Sequence, residues 1–287
     1  MHRITVLALL SISCGALAQD GGISFKSTEV APGLYMLEGQ GGFTGGNFGL
    51  LTGEDGVILI DTGLDSLEAV TLAAIEEHSG GAVDFVINTH VHGDHVGNNA
   101  PLHRHGARIV AHEKLRERML GAGGHRDALP EVTFADSVTF HLNGTRAHVV
   151  HVVNAHTDGD SIIHFTDVNV IHTGDILFNG MFPFIDLDSG GTVDGYIAAL
   201  RKIVSMADGE TKVIPGHGVL ATRADVQASA DMLADAQGRV KALVDQGKSA
   251  DEVLAANPLS SYEALNWEFI TTERMTQTIY RDLTSSD

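Results

Sequence analysis

From residue 48 onward the chain alternates short apolar runs with stretches of helical periodicity. Residues 48–51 and 57–60 are apolar runs flanking Thr52-Gly53-Glu54-Asp55-Gly56, a pattern that predicts a hairpin closed by a glycine turn. Asp65, with Glu68 three residues on, opens a helix whose apolar side carries Leu67, Val70, Leu72, Ala74 and Ile75. Residues 83–87, 109–111, 138–142, 146–153, 162–165, 168–171 and 213–214 read as further strands, with Asn143-Gly144 as the turn between two of them. Residues 196–206 are helical. After Arg223 the pattern stays helical: Val226, Leu233, Ala236, Val240 and Leu243 recur at three-to-four spacing, and Ser249 with Glu252 forms a capping box. These C-terminal helices are read as packing elements. The whole is mixed α/β, with two strand-rich halves meeting near Gly121-Ala122-Gly123-Gly124 and no linker long enough to separate independent domains.

The first residues have a different character. His2-Arg3 is a short basic start, residues 4–10 are apolar, and Ala16-Leu17-Ala18 has the small-x-small form of a signal-peptidase site, so residues 1–18 are expected to be an export signal removed after Ala18. The apolar stretch is too short to span a bilayer. Residues 19–287 then form one domain, with a core at about 29–220 and C-terminal helices at 223–285. Cys14, the only cysteine, falls in the signal, in a poor context for lipidation. The exported protein would carry no thiol, hence no disulfide, no cysteine nucleophile and no thiolate ligand. A periplasmic or secreted location follows.

Composition sharpens the functional class. Hydrophobic residues make up 43% of the 287 and charged residues 19%, which excludes a disordered chain and a membrane bundle. Asp and Glu number 37 against 18 Lys and Arg, a formal charge of −19 that disfavours nucleic acid and anionic lipid surfaces. A small-molecule substrate is the expected partner. Sixteen histidines exceed what a core needs.

Those histidines concentrate. Thr89-His90-Val91-His92-Gly93-Asp94-His95 follows the strand ending Val86-Ile87-Asn88; on a continued strand His90 and His92 would share a face, and a turn at Gly93 would bring Asp94 and His95 alongside. Three further candidates stand at later strand ends: His156, Asp175 in Thr173-Gly174-Asp175, and His217 in Pro215-Gly216-His217-Gly218. Neutral imidazoles and carboxylates suit zinc. His78, His103, His105, His112, His125, His141, His148, His151 and His164 lack such context and read as structural, while His172, three residues before Asp175, is left between the two readings. Asp61, at a strand end, reads equally as a turn residue or as a partner orienting a ligand imidazole.

With these motifs, together with Leu59-Ile60-Asp61-Thr62-Gly63 and Ala155-His156-Thr157-Asp158-Gly159-Asp160-Ser161, the chain resembles the metallo-β-lactamase-fold hydrolases, from about Glu29 to Leu220. The resemblance implies a four-layer αββα sandwich with extra C-terminal helices and two Zn2+ ions at one edge. Carried over by position, His90, His92 and His156 would bind the first ion, Asp94, His95 and His217 the second, with Asp175 bridging. Zinc lowers the pKa of bound water from roughly 15.7 to about 7, and Asp94 would orient that water and relay its proton. The cysteine ligand of one lactamase subclass is absent, and a bridging aspartate is more like the esterase, lactonase, thioesterase and phosphodiesterase branches. Residues 39–47, rich in glycine, read as a mobile flap with Phe43 at its tip, and residues 181–185 as a second apolar wall or as core. Residues 176–195 hold no Lys or Arg, so an anionic substrate finds no cation there. Hydrolysis of a cyclic amide or ester is the favoured activity. Phosphodiester or thioester cleavage, an iron oxygenase and a non-catalytic zinc protein are the alternatives.

Overall fold

The computed structural model describes residues 22–285, so the expected signal with Cys14 lies outside the described residues. Seven strands form the first sheet in sequence order: β1 (Ser24–Ala31), β2 (Leu34–Gln40), β3 (Phe48–Leu51), β4 (Ile58–Ile60), β5 (Phe85–Ile87), β6 (Arg108–His112) and β7 (Val132–Phe134). The second sheet contains β8 (Ser137–Leu142), β9 (Thr145–His151), β10 (Ser161–Phe165), β11 (Val170–His172), β12 (Lys212–Ile214) and β13 (Ala221–Thr222), in the reverse spatial order. The halves therefore divide at Ala135-Asp136, not near Gly121–Gly124: the chain returns to the first sheet for β7, which pairs in parallel with β6.

Strand alternation builds three apolar seams. Ile58 and Ile60 of β4 face Ile163 and Phe165 of β10 between the sheets, together with Ile87, Val170 and Ile214. Leu59 points the other way, onto Ile75 of α1 (Glu68–Ser79). Ile162 and Ile171 point outward onto Tyr196, Leu200 and Ile203 of α5 (Val193–Met206). Both faces of each sheet are thus covered, which is why the central strands read as unbroken apolar runs. Between α1 and α5 come the short α2 (Gly93–Val96), α3 (Asn99–Arg104) and α4 (Glu113–Gly121). After them, α6 (Arg223–Val244), α7 (Ala250–Ala256) and α8 (Thr272–Thr284) thicken the outer layer of the second sheet. The result is the expected αββα arrangement with added C-terminal helices. Among the described residues no helix is long and apolar enough to cross a membrane.

Local chemistry explains the turns and helix starts. Asn143 and Gly144 both have positive φ (54° and 71°), as a two-residue hairpin turn between β8 and β9 requires. Asn143 also binds the β3–β4 turn, accepting from Asp55 N–H at 3.0 Å and donating to Gly56 O at 2.8 Å, which fastens one sheet to the other. The capping box at Ser249 and Glu252 forms and starts α7, and a second one at Thr222 and Asp225 starts α6.

Candidate metal centre

β4 and β5 run parallel in one sheet, β11 and β12 in the other, so their carboxyl ends open at one edge of the molecule. The turns leaving these four strands carry Asp61, the residue 89–95 segment, Asp175 and His217. The histidine motif is not a strand continuation. β5 stops at Ile87; Asn88 N–H still donates to Val110 O of β6 at 3.0 Å, while its side chain turns inward to bond His95 O and Asn99 at 3.1 Å each. His90 and His92 sit on the loop that follows, and Asp94 and His95 on the first turn of α2. Convergence therefore comes from a loop held by buried Asn88, Asn98, Asn99 and Thr62, which bond one another and the surrounding backbone.

All seven expected donors come together in two groups: His90, His92, His156 and Asp175, then Asp94, His95 and His217, with donor atoms in each within 4.8 Å of one another. Asp175 reaches both. Its Oδ2 lies 3.7 Å from His90 Nε2, 3.6 Å from His156 Nε2 and 3.4 Å from His217 Nε2, and its Oδ1 lies 3.1 Å from His95 Nε2. Tyr196 donates to Asp175 O at 2.7 Å and fixes the backbone that presents it. Asp94 Oδ2 is 3.5 Å from His95 Nε2 and 3.6 Å from His217 Nε2.

Outer partners assign the imidazole tautomers. His95 Nδ1–H donates to Asp61 Oδ2 at 2.8 Å, and Thr89 donates to the same carboxylate through N–H and O–H, both at 2.7 Å. Asp61 thus orients the His95 imidazole, and its φ of 62° is one that Asp tolerates. Thr89 Oγ in turn accepts from His90 Nδ1–H at 3.0 Å. His156 Nδ1–H donates to Phe184 O at 2.7 Å, and His92 Nε2–H to Asp186 Oδ2 at 2.9 Å. Each partner takes the proton on one nitrogen and leaves a lone pair on the other.

A cation fits this arrangement, and the clearest sign is a close approach of two lone pairs. His156 Nε2 and His92 Nδ1 stand 2.9 Å apart, each on a ring whose proton is already committed elsewhere. Such a contact is repulsive unless a proton or metal ion lies beside it. His90 Nε2, His95 Nε2 and Asp175 Oδ1 are buried without a hydrogen-bond partner among the described residues. Charge tells the same story. Burial keeps His90 well below the usual imidazole range and holds His156 at about 4, so both are neutral, as metal donors must be. Burial alone would lower His95 too, but the carboxylates of Asp175, Asp94 and Asp61 hold it well above that range. Asp175, despite its burial, is kept well below the usual carboxylate range by His95, His217 and His90. Without a cation, the proton on His95 is what balances the carboxylates around it.

His172 is not a member of either group: it is buried beneath the site, accepts from Gly174 N–H at 3.2 Å and is pushed down to about 4 by burial. His112 and His151 stack on each other at 3.7 Å away from the donors. Asp186, on the segment that holds no Lys or Arg, is the partner of His92. Its carboxyl is lowered by that hydrogen bond. Nothing local in the sequence marks this pairing across 94 residues.

A cleft of about 380 Å³ opens onto the donors; Phe43, Phe178, Phe184, Trp267, Phe269 and Arg274 line it beside His92, Asp94, Asp175 and His217. Phe43, 47% exposed, is the tip of the glycine-rich segment, as expected, and Asn47 pins the end of that segment to Pro215 O and Gly218 O at 3.0 and 2.8 Å. The apolar run 181–185 divides: Phe182 and Ile185 are core, and Phe184 is wall. The C-terminal segment does more than pack. Trp267, Phe269 and Arg274 reach the cleft, so a cation that residues 176–195 do not supply comes from α8.

Residues 41–217 match the metallo-beta-lactamase superfamily, a span that contains every donor. The chain is 28% identical over 157 residues to a hydroxyacylglutathione hydrolase of Pelagibacter ubique, covering 54% of this chain and 59% of that protein. A hydroxyacylglutathione hydrolase of Brucella ovis is 30% identical over 176 residues, covering 60% and 62%. The chain thus spans about three fifths of the length of these curated relatives. Among solved structures it is similar to a metallo-beta-lactamase from Pontibacter korlensis (TM-score 0.62, 16% identity, 74% of this chain and 100% of that one). It is also similar to the inverting sec-alkylsulfatase Pisa1 from Pseudomonas sp. (TM-score 0.69, 16% identity, 90% and 50%). At that identity the structures speak for the fold.

Proposed function

The chain belongs to the metallo-beta-lactamase superfamily and is a metal-dependent hydrolase, and on that premise we propose that it is an exported dinuclear zinc enzyme cleaving carboxylic esters or thioesters. The observation that carries the reading is Asp175, one carboxylate within 3.1–3.7 Å of imidazoles from both groups. His90, His92 and His156 would hold one Zn2+ and Asp94, His95 and His217 the other, with Asp175 in reach of both groups. Bound there, zinc would supply Lewis acidity and a water of lowered pKa. The residues do the rest. Asp61 and Thr89, Asp186 and the Phe184 carbonyl keep the ligand rings in register. Asp94, at the cleft edge, carries a proton toward the leaving group. The aromatic walls exclude bulk water. The bridging carboxylate and the relatives named hydroxyacylglutathione hydrolase both support ester or thioester over lactam. Ala16-Leu17-Ala18 supports export, which N-terminal sequencing of the secreted protein checks: an intact Met1 refutes it.

The test is a zinc-loaded protein assayed side by side on a thioester, a lactone, a chromogenic β-lactam and a phosphodiester, with metal counted by native mass spectrometry. Two ions per chain and the highest kcat/KM on the thioester or lactone are expected. One ion at most, or a preference for the lactam or phosphodiester, overturns the reading.

Acid should strip the two groups unequally. A cation entering beside His95 must displace the proton that its raised pKa retains, whereas His156, at about 4, competes only in strong acid. Dialysis at stepwise lower pH is therefore expected to release one ion first, from the Asp94, His95 and His217 group, and the second at lower pH. Loss of both in a single step, by elemental analysis, would refute this.

A further inference from the structure

The cleft wall beyond the family core bears on which acyl compounds enter. The superfamily match ends at residue 217, yet Trp267, Phe269 and Arg274 all lie in the later segment. They are placed firmly. Trp267 Nε1–H donates to Phe182 O at 2.9 Å, and Thr272 N–H donates to Asn266 Oδ1 at 2.7 Å, so the turn entering α8 is tied down at both ends. Its rings continue an aromatic surface from the donors outward. Phe178 stacks on His217 at 4.7 Å, Trp267 lies 5.6 Å from Phe178, Phe269 5.2 Å from Trp267, and Phe43 closes the row 5.6 Å from Phe269. Flap and C-terminal segment thus meet over the cleft. Arg274 is the one Lys or Arg among the residues lining it, and its guanidinium forms no ion pair or hydrogen bond with the described residues. It also borders a neighbouring polar groove with Phe184, Asp186 and Arg281, so it stands where the apolar cleft gives way to polar surface.

We propose that the substrate is an amphipathic acyl compound, with an apolar or aryl body lying along Phe43, Trp267 and Phe269 and an anionic end, a carboxylate or a similar oxyacid, held by Arg274. The inference rests on the hydrolase reading above and gives its substrate class. A row of rings removes apolar surface from water and offers few hydrogen bonds, so it suits an alkyl or aryl chain and not a polar peptide such as glutathione. A planar guanidinium without a partner among the described residues, beside that chain's end, is matched to a carboxylate. The donors see the reacting carbonyl and the C-terminal segment selects what is attached to it.

Two readouts test it. With zinc-loaded protein, kcat/KM is compared for the thiophenyl esters of adipate, hexanoate and acetate and for S-lactoylglutathione. The adipoyl ester is expected to be best, about fivefold above hexanoyl, the size of an ion pair at the solvent edge of an apolar cleft. Arg274→Gln should bring that ratio close to one by lowering the adipoyl value. Trp267→Ala should lower both six-carbon esters about tenfold relative to acetyl. The second readout needs no turnover: Trp267 is the chain's only tryptophan, and its fluorescence follows occupancy of the cleft. Phenylbutyrate should bind about fivefold tighter than phenylbutanamide, and equally in Arg274→Gln. If no ester is hydrolysed but the Arg274-dependent fluorescence preference persists, the hydrolase chemistry is misassigned and this substrate class stands. S-Lactoylglutathione as best substrate, or a carboxylate preference that survives Arg274→Gln, overturns it.

Discussion

Replacing Asp94 by Asn is expected to lower kcat on the best ester by about 10²–10⁴-fold at saturating zinc, the range for loss of a positioned proton carrier. Asp94 differs from the other acids of the centre in its setting. Asp175 is 4% exposed and enclosed by imidazoles, and Asp61 is fully buried behind His95. Asp94 belongs to the His95 and His217 group, lines the cleft and is 17% exposed there. Burial would raise its carboxyl, but the charge of His95 and the hydrogen bond to it hold it below the usual range, so it stays an acceptor at neutral pH. Asn keeps the shape and one oxygen and cannot take up a proton. Were Asp94 only a ligand, excess zinc would restore turnover. The expected result is low kcat with full metal content. Wild-type kcat at saturating zinc would remove Asp94 from the mechanism.

Which parts of this centre were readable in the sequence follows from how each residue finds its neighbours. The donors were legible because their chemistry is dense: His90, His92, Asp94 and His95 lie within six residues, and His156, Asp175 and His217 each follow an apolar run in a turn. The Asn143-Gly144 turn and the Ser249 capping box were legible because their geometry is set by neighbours in sequence. β1 and β2 were not. They form the outer pair of the first sheet, where only Val30, Leu34, Met36 and Leu37 are fully buried, so polar residues interrupt the alternation. The reading of His90 and His92 as strand residues failed for a different reason: Asn88 still donates its N–H to Val110 O of β6, but its side chain bonds the His95 carbonyl and Asn99 and folds the segment after it back into a loop, a network that assembles only when residues 62, 88, 98 and 99 meet. Trp267 and Arg274 show the same limit at longer range. The residues after Arg223 read as packing helices, and nothing in their pattern indicates that the turn before α8 reaches His217.

Asp61→Asn is the second substitution with a large expected effect, because one carboxylate sets the protonation of a ligand in each group. Asp61 Oδ1 accepts from Thr89 N–H, and Oδ2 accepts from both Thr89 O–H and His95 Nδ1–H. Held this way, the Thr89 oxygen accepts from His90 Nδ1–H, so Nε2 is free on both rings. Asn tolerates the positive φ and can keep the Thr89 N–H bond, so the backbone is preserved. Its amide nitrogen, however, would face two donors where Oδ2 had accepted both. His95 can answer by moving its proton to Nε2, the atom that points at Asp94 and Asp175, and a protonated Nε2 cannot bind a metal. Thr89 turns its hydroxyl away and His90 loses its anchor. Zinc affinity is expected to fall about 10–100-fold, and in both groups, since each contains one affected ring. Competition titration with a chelating dye reads both steps, and circular dichroism checks that the fold is retained. Weakening confined to the His95 step would show that Thr89 does not transmit the effect to His90. Wild-type affinity at both steps would mean that Asp61 serves the turn after β4 and does not orient the metal centre.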